Sequence, residues 1–255
     1  MKLKRKVFTF LILIGLVVTG CREKETPPIP ELLIYCGVTM AGPVQEIADI
    51  IETQENCKIT VLLDGSQNLL DIIDVNKVGD LYLPGSITYL DSALRKEHLL
   101  DIEVVGNIAP VLVVSKNNPK NIIPELKSLI DPELRVVLGS PESCSIGVKT
   151  RSILKSVNIY DEVMKNVLYL TTDAKNITRA IIDGNADIGI EWKVAVSGGV
   201  NSKYIDFFSL RSEIVLPEKI GLGLLKYSIF PDLALIYFDY AVSDKGREIF
   251  KHYGF

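Results

Sequence analysis

Histidine, tryptophan and cysteine are scarce in this 255-residue chain, with two, one and four copies. Four cysteines in this length do not make a disulfide scaffold. The two histidines, His98 and His252, lie in no metal-ligand spacing such as His-x3-His. The chain has no Gly-x4-Gly-Lys-(Ser/Thr) loop and no nucleophile–base pairing that can be placed, which counts against a nucleotide hydrolase or a triad enzyme. With 18 Gly and 12 Pro, collagen-like and Pro/Gly-rich low-complexity classes are excluded. Lys and Arg total 28 against 32 Asp and Glu, so there is no basic excess for nucleic acid. What remains is 47% hydrophobic and 24% charged, the balance of a folded chain with one large or two small domains.

The first 20 residues stand apart. Met1–Lys6 is basic, and Val7 to Val18 is an uncharged apolar run, shorter than the ~20 residues of a spanning helix. Val18-Thr19-Gly20-Cys21 follows. A basic start, a short apolar run and small residues before a cleavage point describe a secretory signal. Cys after Gly20 resembles a bacterial lipobox, with Val18 where Leu is usual. The reading is a lipoprotein signal peptide over 1–20, an acylated Cys21 and a Pro-rich tether over 21–31; a plain signal peptide is the alternative. The protein is then exported and lipid-anchored at the outer face of a bacterial membrane. Losing four basic residues and no acid takes the formal charge from −4 to −8.

The rest alternates short apolar runs with amphipathic segments. Leu32–Cys36, Ile59–Leu63, Asp80–Leu83, Arg135–Leu138, Val167–Thr171 and Asp187–Ile190 read as strands, with Ile108–Val114 the longest. Helices are expected after Pro43, with Val44, Ile47, Ala48 and Ile51 on one face, over Gln67–Val75, and around Gly147–Val157 and Lys175–Ile182. Strand–helix alternation predicts α/β architecture with parallel sheets covered on both faces. In such folds ligands sit where strand ends enter helix N-termini. Four loops have that form: Gly37–Ala41, Asp64–Gln67, Gly139–Gly147 and Thr171–Lys175. Three carry hydroxyls just before a helix, namely Thr39, Ser66, and Thr171 with Thr172. Each alone reads as an ordinary N-cap. Several together in an exported chain point to a small-anion receptor, because free helix N–H groups bind anions without cations.

These segments resemble, in order, the molybdate/tungstate-binding receptors of bacterial ABC importers. Ile34–Met40 with Gln45–Ala48 is similar to the family's opening strand, loop and helix. Asp64-Gly65-Ser66 is similar to its second Ser loop, and Gly79–Tyr82 to its Ala-Asp-(Leu/Val)-Phe strand. Pro110–Val114 with Asn118-Pro119, Gly139–Gly147, Gly184–Ile190 and Ile249–Phe255 continue the match. The resemblance implies a two-lobed type II periplasmic binding protein, each lobe a mixed, mostly parallel sheet flanked by helices, with the ligand in the interlobe cleft. It implies lobe 1 over 32–110 and 208–255 and lobe 2 over 111–207, with crossings near Ile108–Val114 and Ile205–Leu210.

The resemblance also implies a ligand shell. Thr39 and Ser66 fall on the two hydroxyl positions, Ile146 and Ile177 near the backbone donors, and Trp192 on a Tyr position. Glu191 falls near a carboxylate that completes six-coordination in archaeal relatives, while the second such position falls near Cys144. A solvent-facing Glu191 is an equal alternative. Cys36 and Cys144 are weak candidates for a soft-metal site; free, buried, small hydrophobes are the plainer reading, and Cys57 has no evident function. The implied protein is no enzyme and needs no cofactor. It is a monomer that takes a small oxyanion and meets an ABC permease. The alternatives are a receptor of the same fold for phosphate, sulfate or a metal cation, or an enzyme on this fold.

Overall fold

The computed structural model describes residues 29–211 and 215–255. The leader, Cys21 and most of the tether lie outside them.

The first sheet begins with β1 (Glu31–Gly37), α1 (Ala41–Glu55), β2 (Lys58–Asp64), α2 (Ser66–Asn76), β3 (Leu81–Leu83), α3 (Ile87–Arg95) and β4 (Leu99–Ile108). The chain then passes through Ala109 into β5 (Pro110–Ser115), β6 (Val136–Gly139), α4 (Ser145–Ser156), α5 (Tyr160–Asn166) and β7 (Val167–Thr171). It continues through α6 (Ala174–Ile182), β8 (Ile188–Trp192), α7 (Lys193–Ser197) and β9 (Ile205–Ser209), and returns as β10 (Glu218–Leu225), α8 (Pro231–Val242) and α9 (Asp244–His252). The sheets run β2-β1-β3-β10-β4 and β7-β6-β8-β5-β9. Both β5 and β9 belong to the second sheet, so the chain leaves the first sheet at Ala109 and the second after Ser209.

β1 shows why the apolar run at Leu32 is a strand with both faces covered. Its side chains alternate: Leu32, Ile34 and Cys36 enter one core with Val44, Ile47, Ala48 and Ile51 of α1. Tyr35 enters another, with Leu69, Leu70 and Ile73 of α2 and Leu90 of α3. Each such aliphatic side chain contributes about 1.5–3 kcal/mol by leaving water. α1 stops at Asn56 and α2 at Lys77, both with positive φ (48° and 52°), the left-handed cap that ends a helix.

Strand–helix alternation predicted parallel sheets. Each sheet is mixed, as the resemblance implied, with two parallel and two antiparallel pairings in place of a parallel majority, because β10 runs against β3 and β4, and β5 against β8 and β9. These strands carry the chain between lobes and do not belong to strand–helix–strand units. The strand expected over Ile108–Val114 is broken at Ala109, and the longest strand is β4, which periodicity did not disclose. β4 alternates poorly in burial, and its partner β10 shifts register between Ile220 and Gly221 and again between Leu224 and Leu225. Two bulges move side chains from face to face and blur a period of two.

The lobes meet directly. The Gln67 backbone N–H donates to Ser143 O across the cleft at 2.9 Å. Nearer the crossings, Lys149 of α4 pairs with Glu218 of β10 at 2.8 Å, and Ser86 Oγ donates to the same carboxylate at 2.7 Å.

Candidate functional site: an interlobe cavity at four helix starts

Four helices begin at one point between the lobes. The 3-10 turn Val38–Met40 leads into α1, Ser66 opens α2, Ser145 opens α4 and Ala174 opens α6. Thr39, Ser66, Ser145 and Ala174, with Gly65, Gly85 and Cys144, line a cavity of about 10 Å3. Its lining contains no Lys, Arg or His, so positive potential there comes from the free N–H groups of helix first turns. Asp64 is its one acid, and Oδ1 of that carboxylate accepts from Gly65 N at 2.6 Å and Asn68 Nδ2 at 2.9 Å.

Ser66 is buried. Its Oγ accepts from Gly85 N at 3.0 Å, and its carbonyl accepts from Tyr82 Oη at 2.7 Å. With a backbone N–H donating into it, the hydroxyl keeps its own proton for an acceptor. Thr39 is half-buried and also borders a wider recess of about 560 Å3 at the cleft mouth.

The remaining candidates stand at different depths. Ile146 is the second residue of α4, where a helix N–H has no partner within the helix; its side chain is wholly buried. Ile177 is the fourth residue of α6, past those free N–H groups, and Ala174 of the same helix lines the cavity instead. Trp192 does not line the cavity. It is buried behind it, and its indole N–H donates to Ser145 Oγ at 3.3 Å. Glu191 does not face solvent: it is fully buried, its Oε1 accepting from Trp192 N at 2.6 Å and its Oε2 from Thr178 Oγ1 at 3.4 Å. The structure thus brings Thr39 and Ser66 together, sets Ile146 beside them, and holds Ile177, Trp192 and Glu191 behind.

Burial pushes the Glu191 carboxyl well above the ordinary carboxylate range, and its two hydrogen bonds only partly oppose this. The folded chain therefore keeps a proton there that the unfolded chain has already released, so stability falls as pH rises from the unfolded carboxylate range through the raised folded one. Glu191→Gln removes that slope. Melting curves from about pH 5 to about pH 8 should show the variant gaining on the wild type as pH rises; parallel curves would mean that Glu191 is ionised in place.

Cys36, Cys57 and Cys144 are free and buried. Burial raises the Cys144 thiol to about 12, so it stays protonated at neutral pH. Among the described residues no group of three or more His, Cys, Asp or Glu could hold a metal ion.

Ser145 and Gly85 are the lining residues that sequence reasoning passed over. The helix was expected to start near Gly147, which left Ser145 in a loop; it begins two residues earlier, after an extended Cys144. Gly85 lies in a turn read only as a strand end, and a Cβ there would come within 2.3 Å of Ser145 Oγ on the other lobe.

Two α/β lobes, joined by two crossings and closed on a polar cavity of helix N-termini, define a two-lobed periplasmic binding protein fold. The chain belongs to the bacterial extracellular solute-binding protein family, whose model matches residues 32–255. It is 25% identical to a Bacillus subtilis protein named "Putative ABC transporter substrate-binding lipoprotein YvgL", over 99% of this chain and 98% of that one. In fold it is similar to the periplasmic molybdate-binding protein of Azotobacter vinelandii, with a TM-score of 0.75, 13% identity, and 88% and 97% of the chains covered. It is also similar to the sulfate-binding protein SubI of Mycobacterium tuberculosis, with a TM-score of 0.74, 12% identity, and 89% and 86% covered. Solute-binding proteins of this kind serve ABC transporters.

Proposed function

We propose that this protein captures a tetrahedral oxyanion, molybdate or tungstate, between its lobes and delivers it to an ABC permease, held at the membrane by acylated Cys21. The observation that carries this reading is the convergence of four helix starts and neutral hydroxyls on a cavity whose lining has no cation. A fully deprotonated dianion needs only donors, and Thr39, Ser66, Ser145 and the N–H groups near Ile146 and Ala174 are donors. Coordination is tetrahedral in this reading, because Glu191 is fully buried outside the cavity lining and spends its oxygens on protein donors. The lobes open to admit the anion and close on it by rotation about their two crossings. The chain acts as a monomer and performs no reaction on its ligand. The fold-level likeness to proteins named for molybdate and to one named for sulfate agrees with this class. Sulfate or phosphate is the second reading, supported by the fold-level likeness to a protein named for sulfate.

Thermal melting with molybdate, tungstate, sulfate, phosphate and divalent cations tests it. A ligand at about 1,000 times its Kd stabilises the fold by about 4 kcal/mol. A shift with cations alone would sink the oxyanion reading. Thr39→Ala and Ser66→Ala should each weaken binding by about 1–3 kcal/mol through loss of a charge-assisted hydrogen bond, measured by calorimetry.

A further inference from the structure

The oxyanion cavity is not closed off from the rest of the cleft. It shares Val38 and Thr39 with the recess of about 560 Å3 at the mouth, which both lobes line. That volume lies in the range of small-organic-ligand sites, about 300–1,000 Å3. Where the one charged residue lining the inner cavity is Asp64, the recess holds an acid, a base and apolar walls. Asp173 lines it with a carboxylate, which caps α6 by accepting from the backbone N and Nδ2 of Asn176 at 2.9 and 2.8 Å. Asn201 spends an amide hydrogen on Ala195 O at 2.9 Å and carries its carbonyl oxygen as an acceptor. Lys175 offsets the charge of Asp173, so this recess is neutral in sum and mixed in polarity. A group carrying hydroxyls would find both acceptors and apolar walls, Leu63 and Ala195 among them.

We infer that the cleft takes monosubstituted oxyanions, with the anionic head in the inner cavity and a small hydroxylated substituent in the recess past Thr39. The chemical class is a phosphate monoester of a small polyol. This rests on the oxyanion reading of the inner cavity.

Calorimetry on the full chain with glycerol 3-phosphate, inorganic phosphate and molybdate tests it. Glycerol 3-phosphate should bind about tenfold or more tighter than inorganic phosphate. Asn201→Ala removes an acceptor, and Ala195→Leu fills part of the recess. Each should erase the advantage of the ester and leave inorganic phosphate binding unchanged. If molybdate or phosphate binds and the ester binds no tighter, the inference is overturned while the inner-cavity reading stands. An ester advantage that survives both variants overturns it as well. If no oxyanion binds at all, the inner-cavity reading itself falls, and this inference with it.

Discussion

Gly65→Ala should leave both lobes folded and reduce oxyanion affinity by about a hundredfold or more, a loss of about 3 kcal/mol. Gly65 caps α2 with φ −63° and ψ 146°, a conformation open to any residue, so the substitution strains nothing within its own lobe. The obstacle lies across the cleft. A Cβ there would stand 2.5 Å from both Ser143 O and Thr172 O. These are backbone atoms of the second lobe and cannot rotate away as a side chain could. The lobes must part, and the bond from Gln67 N to Ser143 O goes with the contact. Apparent affinity then falls with the population of the binding-competent closed form. The unliganded variant should melt close to the wild type, since the gain from restricting the unfolded chain at a compatible φ offsets the lost interlobe bond. Calorimetry with melting curves separates the two effects. Undiminished affinity would mean that ligand is held in a wider register than this closed one.

Trp192 gives the second large effect, in two parts. Trp192→Ala should destabilise the fold by about 3–5 kcal/mol, because the ring is buried at the end of β8 and its loss leaves a cavity. Trp192→Phe keeps most of the packing and removes only the indole N–H donated to Ser145 Oγ. With that donor present, the Ser145 hydroxyl accepts from Trp192 and turns its own proton toward the cavity it lines. Affinity should therefore fall about threefold to tenfold in Trp192→Phe and by about 1–3 kcal/mol in Ser145→Ala. The double variant should bind no worse than Ser145→Ala alone, since Trp192 acts through that hydroxyl. Additive losses would show that Trp192 reaches the ligand by another route.

Much of the fold was legible along the chain. The α1 face of Val44, Ile47, Ala48 and Ile51 is the face that packs on β1. The apolar run at Leu32 is a strand covered on both sides, as its lack of polar alternation required. β4 and β10 were not legible, because bulges and uneven burial destroy the period that marks a strand. Of the site, Thr39 and Ser66 could be placed because a hydroxyl before a helix is a local pattern. Ser145 lay in a local pattern too, but a helix start misplaced by two residues hid it.

The sequence by itself determined the local pieces: strand–helix units, and hydroxyls set at helix starts. These follow from periodicity and capping, which act over a few residues. Only the tertiary structure decided which pieces share a cavity. Trp192 turned out to donate to Ser145, and Glu191 to lie fully buried, because long-range packing sets a side chain's surroundings. Neighbours 47 residues apart, such as Ser145 and Trp192, leave no mark in a single chain. Closure of the two lobes brought four helix starts and three hydroxyls to one cavity.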